Sequence, residues 1–220
     1  MSDANLVQIP PIGLGAELRV PAAARAIVIF AHGSGSSRFS PRNRAVAAGL
    51  VHAGFATLLL DLLTEEEAAS RANVFDIDLL ASRLVDAIEW AREQPGTAGL
   101  AVALFGASTG AAAAIKAAAL RPEAVRAVVS RGGRADLAGA SLDRLTAPTL
   151  LIVGGDDEPV IDLNRQAIAR MKGPAELVIV PGATHLFEEP GALERVIDLA
   201  IAWLDQHTVE ASAGTADGGP

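Results

Sequence analysis

Three loop segments carry residues that together can perform acyl transfer: Gly106-Ala107-Ser108-Thr109-Gly110, Gly154-Gly155-Asp156-Asp157 and Gly182-Ala183-Thr184-His185. A serine hydroxyl is a weak nucleophile until an imidazole takes its proton, and the imidazole needs a carboxylate to fix its tautomer. Ser108 lies in a G-x-S-x-G segment between an apolar run ending at Phe105 and the alanine-rich Ala111 to Leu120. This is the layout of a serine on a sharp strand-to-helix turn, where the backbones two positions either side are pressed together and glycine is demanded. The helix that begins there points its first amides at the place where an oxyanion would form.

Oxyanion stabilisation needs two donors about 3 Å from the developing charge. Thr109 N–H is one expected donor. The other is expected from Ser34 N–H, in the small-residue loop Ala31-His32-Gly33-Ser34-Gly35-Ser36-Ser37 that follows the apolar run to Phe30. That loop has neither the lysine of a P-loop nor G-x-G-x-x-G spacing, which argues against a phosphate cradle. Asp157 is the expected acid, with Asp156 an open alternative in the same turn. Of four histidines, His185 alone sits in a loop between a strand and the last helix, free to reach both acid and serine. Arg131 and Arg134, after the run ending at Val129, are candidate anchors for an anionic substrate group, and partners in Asp136 or Asp143 are the competing assignment. Arg38 and Arg42, beside the glycine loop, raise the same question.

The elements that must position these loops are legible from hydrophobic patterning. Strand-length apolar runs occur at 25–30, 55–60, 100–105, 125–129, 149–153 and 176–180, and are continuous rather than alternating, as in a sheet covered on both faces. Between them, 41–53, 76–92, 109–120, 161–171 and 190–205 show helical spacing. This alternation predicts an α/β fold with a mostly parallel sheet of about seven strands and right-handed crossovers. An antiparallel edge strand is expected within 13–20, limited by Pro10, Pro11 and Pro21. The interval between Val129 and Thr149 holds a loop and a short helix but no cap domain, so the site should be open. Trp90 and Trp203 fall on amphipathic helices and read as core or interface residues.

Composition narrows the classes further. The chain has 220 residues, 50% of them hydrophobic and 20% charged, enough for one well-buried domain, assigned here to 1–206, with a small, polar 207–220 expected to be a disordered tail. A net charge of -8 argues against nucleic acid or an anionic membrane as partner. With no cysteine, thiolate chemistry and disulfides are excluded, and no metal or organic cofactor is expected. The N-terminus lacks the basic and apolar regions of a secretory signal, so a cytoplasmic location is expected. A small-molecule ester is the expected partner, and a homodimer is compatible with the sequence.

With Ser108, Asp157 and His185 each behind its own strand and in that order, the sequence resembles the dienelactone hydrolase-like branch of the α/β-hydrolases. The resemblance runs from about Gly13 to Asp205 and rests on His32-Gly33-Ser34-Gly35, Asp61 and the three loop segments above. It implies the α/β-hydrolase fold with Ser108 as nucleophile, Asp157 as acid and His185 as base. Dienelactone hydrolases proper use a cysteine nucleophile, which this chain lacks, so a general serine-esterase activity is the implication and the lactone substrate is not. An acyltransferase or perhydrolase on the same residues, or a non-catalytic binding protein with this fold, are the alternatives.

Overall fold

A computed structural model describes residues 4–208. Eight strands form one sheet: β1 (Asn5–Ile9), β2 (Leu14–Arg19), β3 (Ala26–Ala31), β4 (Ala56–Leu60), β5 (Ala101–Ala107), β6 (Val125–Arg131), β7 (Thr149–Gly154) and β8 (Ala175–Val180). Their order is β1-β2-β4-β3-β5-β6-β7-β8, parallel from β4 to β8 and antiparallel at β1 and β2. The expected edge strand at 13–20 is therefore interior, hydrogen-bonded to β1 on one side and β4 on the other. Pro10, Pro11 and Pro21 flank β2 rather than interrupt it, so its amides stay in the ladder. The true edge, β1, buries only Ile9 fully, which is why its apolar signal is faint.

Among the described residues there are seven helices: α1 (Pro41–His52), α2 (Glu65–Ala68), α3 (Arg71–Val74), α4 (Ile77–Glu93), α5 (Thr109–Leu120), α6 (Glu158–Ile168) and α7 (Ala192–Thr208), with 3-10 turns over Ala135–Arg144. Side chains of α4 and α5 pack with Ile27, Ile29, Leu58 and Leu104 on one face of the sheet. On the other face Leu50 of α1 and Val196, Ala200 and Leu204 of α7 pack with Val28, Phe30, Phe105 and Val129. Alternate residues of β3 serve the two cores, so the strand is apolar throughout, as a doubly covered strand must be. Helix α5 is buried nearly all round: Ala111 to Ala114, Ala117 and Ala118 are all inaccessible, and their small side chains let it lie close on the sheet.

Helix starts follow local capping chemistry. Ser40 Oγ accepts the Asn43 N–H ahead of Pro41 in α1, Asp76 accepts the Leu79 N–H of α4, and Thr64 with Glu67 forms a capping box on α2. The last helix runs to Thr208, past the expected start of the tail, and the remainder of 207–220 lies outside the described residues. Trp203 is core, its ring centroid 4.2 Å from that of His207 with the two planes tilted by 54°, while Trp90 is half-buried. The crossover from β6 to β7 contains only the 3-10 turns, and no separate cap is present among the described residues.

Candidate active site

The chain leaves β3 toward β4 on one side, while β5 lies on the other, so a crevice opens at their carboxyl ends; in such sheets ligands bind at this switch point. Ser108 occupies the turn between β5 and α5 with φ 51° and ψ -122°, a strained backbone for a residue with a side chain. The strain is held from several directions. Ser108 N–H donates to Arg131 C=O at 3.2 Å and its own C=O accepts Arg134 N–H at 3.1 Å. A Cβ on Gly106 would overlap the Ala111 backbone, and one on Gly110 would overlap the carbonyls of Ala31 and His32. Glycine at both positions is thus a steric requirement of the turn.

The β7 and β8 loops bring the other two residues to this serine. His185 Nδ1 lies 2.6 Å from Asp157 Oδ2, and its Nε2 lies 3.3 Å from Ser108 Oγ. Because the carboxylate only accepts, Nδ1 carries the hydrogen and Nε2 is left as the acceptor for the serine hydroxyl. Asp157 stands at the N-cap of α6 yet caps nothing with its side chain, since the carboxylate is turned to His185. Asp156 is exposed, and it contributes a backbone N–H to Ala183 C=O at 3.0 Å that laces the acid loop to the histidine loop. Gly154 packs against the carbonyls of Ala183 and Thr184, and a Cβ on Gly132 would sit 2.9 Å from His185 C=O. Buried Phe187, at φ 56°, anchors the far side of the histidine loop.

The glycine loop after β3 lies against the serine: a Cβ on Gly33 would be 3.0 Å from Ser108 Cβ. Ser34 N–H, the expected second oxyanion donor, is engaged, donating to Thr109 Oγ1 at 2.8 Å. At rest, then, a hydroxyl oxygen holds the position on this amide that an oxyanion would need. His32 is a structural member of the loop. Its Nδ1 donates to Gly33 C=O at 3.0 Å and its Nε2 accepts the Leu62 N–H at 3.2 Å, which fixes a neutral ring, and burial holds its pKa below the usual histidine value. Asp61 accepts the Arg38 N–H at 2.8 Å and pairs with the Arg38 guanidinium, tying the loop to the end of β4.

The arginines divide differently from the sequence expectation. Arg134 is committed to a fork with Asp136 at 2.8 and 2.7 Å, and Asp143 pairs with Arg170. Arg42 pairs with Glu188 at 2.8 Å. Arg131 is 7% exposed, with burial and then the like charge of Arg42 pushing its pKa down to about 10, and its Nη1 has no partner among the described residues. Arg134 is therefore paired, whereas Arg131 is buried and its guanidinium has no ion-pair partner among the described residues. Two features had no sequence signal strong enough to expose them: the Thr109 hydroxyl contact, and Asn164 of α6, which donates to Gly133 C=O at 2.8 Å and braces the rim beside Ser108.

Comparison with known proteins identifies the family. The dienelactone hydrolase family profile matches residues 14–208. The chain belongs to the dienelactone hydrolase family. It is 54% identical to a crystallised dienelactone hydrolase from Anabaena variabilis, with a TM-score of 0.89 over 94% of this chain and 98% of that one. Est1E from Butyrivibrio proteoclasticus shares the fold at a TM-score of 0.75 and 18% identity, over 93% of this chain and 100% of that one. Proteins from two Mycobacterium tuberculosis strains that carry the name phosphoribosyl transferase are 61% identical over 197 residues, 90% of this chain and 44% of each relative. The chain thus spans under half the length of these curated relatives. As a member of this family it is an α/β-hydrolase. Among the described residues no helix is long and apolar enough to cross a membrane, and no group of three or more His, Asp or Glu is placed to hold a metal.

Proposed function

We propose that this dienelactone hydrolase family member cleaves a carboxylic ester through an acyl-enzyme on Ser108. The observation that carries the reading is the relay of Asp157 at 2.6 Å from His185 Nδ1 and Ser108 Oγ at 3.3 Å from Nε2. In this mechanism His185 takes the Ser108 proton as Oγ attacks the carbonyl carbon, Asp157 stabilises the imidazolium, and the proton then passes to the departing alkoxide. Water, deprotonated by the same imidazole, attacks the acyl-enzyme and returns the serine. The oxyanion is held by Thr109 N–H and by Ser34 N–H once the substrate oxygen replaces Thr109 Oγ1 on that amide.

The name of the mycobacterial relatives is assigned by this reading to the part of those proteins that the chain does not match, since the site here offers a nucleophile and no phosphate cradle. Hydrolysis of short-chain p-nitrophenyl esters by the wild type and its loss in Ser108→Ala test the proposal. Adding a competing alcohol or peroxide and analysing the products separates a hydrolase from an acyltransferase or perhydrolase. A folded wild type inert toward all of these esters would overturn it.

A further inference from the structure

A cavity of about 450 Å³ opens directly behind the glycine loop. Gly33 and Ser34, the residues that touch the nucleophile turn, form one wall. The opposite wall carries Leu63, Ala68, Val74 and Leu80, contributed by the β4 end, α2, α3 and the start of α4, with Thr64 and the Glu65 carboxylate between the first two. The size falls within the range of small-molecule sites, which are lined mostly by hydrophobic side chains with a few polar groups near the reacting end.

Three arginines around the crevice are paired, and Arg131, which is unpaired, is buried and does not line the cavity. Arg38, which lines the cavity, is bound to Asp61, while Arg42 and Arg134 are paired with Glu188 and Asp136. A carboxylate or phosphate entering the cavity would lose its hydration and meet no free cation there, a costly exchange, whereas an alkyl chain or phenyl ring would gain by leaving water.

We infer that the substrate is a neutral ester whose apolar part, a medium-length alkyl chain or an aromatic ring, lies in the cavity bounded by Leu63, Ala68, Val74 and Leu80. This deepens the esterase reading and rests on it. Val74, on the apolar part of the wall, acts as a specificity-determining residue, with the carbonyl held at Ser108 beyond Gly33.

The test compares kcat/KM for acetyl, hexanoyl and octanoyl p-nitrophenyl esters, and in a second arm for acetate esters of ethanol, hexanol and benzyl alcohol, so that the acyl and alcohol portions are varied separately. The longer or aromatic group is expected to be preferred at least about tenfold in one arm. Val74→Trp should lower that preference by about tenfold, and Val74→Ala should raise it toward longer chains. An activity-independent readout accompanies these: benzamide should raise the melting temperature of the wild type, benzoate should not, and Val74→Trp should abolish the benzamide effect. Equal rates along both series with no response to either Val74 variant would overturn the inference while leaving the esterase reading intact. Benzoate stabilising as well as benzamide would overturn it too. If no ester is cleaved at all, the esterase reading fails, and the benzamide and Val74→Trp melts then decide the cavity assignment by themselves.

Discussion

Replacing Asp157 by asparagine isolates the part of the relay that depends on charge and tautomer, because the side chain keeps its size at a position where it is only 14% exposed. In the wild type the carboxylate accepts from His185 Nδ1–H at 2.6 Å, leaving Nε2 unprotonated beside Ser108 Oγ. An asparagine that turns its amide NH2 toward Nδ1 forces the hydrogen onto Nε2, where the ring can no longer receive the serine proton. One that turns its oxygen instead still withdraws the negative charge that stabilises the imidazolium. A comparable asparagine substitution in a serine protease triad costs about 10⁴ in kcat, equal to about 5.4 kcal/mol of barrier, and Asp157→Asn is expected to lose about the same in ester hydrolysis. Asp156 is exposed and contributes through its backbone, so Asp156→Asn should stay within about twofold of wild type. The assay is kcat/KM on a p-nitrophenyl ester, with circular dichroism confirming that both variants fold. Asp157→Asn within tenfold of wild type, or Asp156→Asn falling as far as Asp157→Asn, would refute the assignment.

Three further outcomes follow from the same geometry. Gly110→Ala drives a Cβ into the Ala31 and His32 carbonyls and should cost about 3 kcal/mol or more in urea unfolding; an unchanged midpoint would show that the turn can relax. His32 is held neutral below its ordinary pKa of 6.5, so between 6.5 and its lower folded value the unfolded chain binds more protons; its contribution to stability is complete above 6.5 and is lost as pH falls through that window. The pH dependence of the urea midpoint between 7.5 and 5.5 should therefore be shallower in His32→Asn than in wild type, and identical slopes would contradict the neutral-ring assignment. Asp61→Ala removes both the ion pair and the acceptor of Arg38 N–H, and should lower kcat/KM by about 10- to 100-fold through the displaced glycine loop, whereas Arg38→Ala, which keeps the backbone contact, should lose less; equal losses would place the anchoring in the side chain alone.

What could be read from the chain was what local rules dictate. Each buried strand of the parallel sheet is a continuous apolar run, the polyalanine helix α5 begins and ends where its sequence does, and Ser108, Asp157 and His185, which the structure brings together, were legible because each lies in a loop that follows a strand. Long-range pairing was less accessible. The β1 strand has one fully buried residue and a proline neighbour, and α2 and α3 are single turns fixed by a capping box and tertiary contact rather than by periodicity. The choice between Asp156 and Asp157 depended on the direction of one side chain out of a tight turn. The arginines show the limit of reading charge from sequence: Arg131 and Arg134 are three residues apart, yet one is buried on the α1 and α7 side of the sheet while the other is paired with Asp136.

The most direct measurement is the intact mass of the protein after treatment with a fluorophosphonate, compared across wild type, Ser108→Ala and His185→Ala. One adduct per wild-type chain is expected, none on Ser108→Ala, and labelling of His185→Ala slowed by several orders of magnitude. A folded wild type that takes no adduct, or an adduct that survives Ser108→Ala, would contradict Ser108 as the nucleophile.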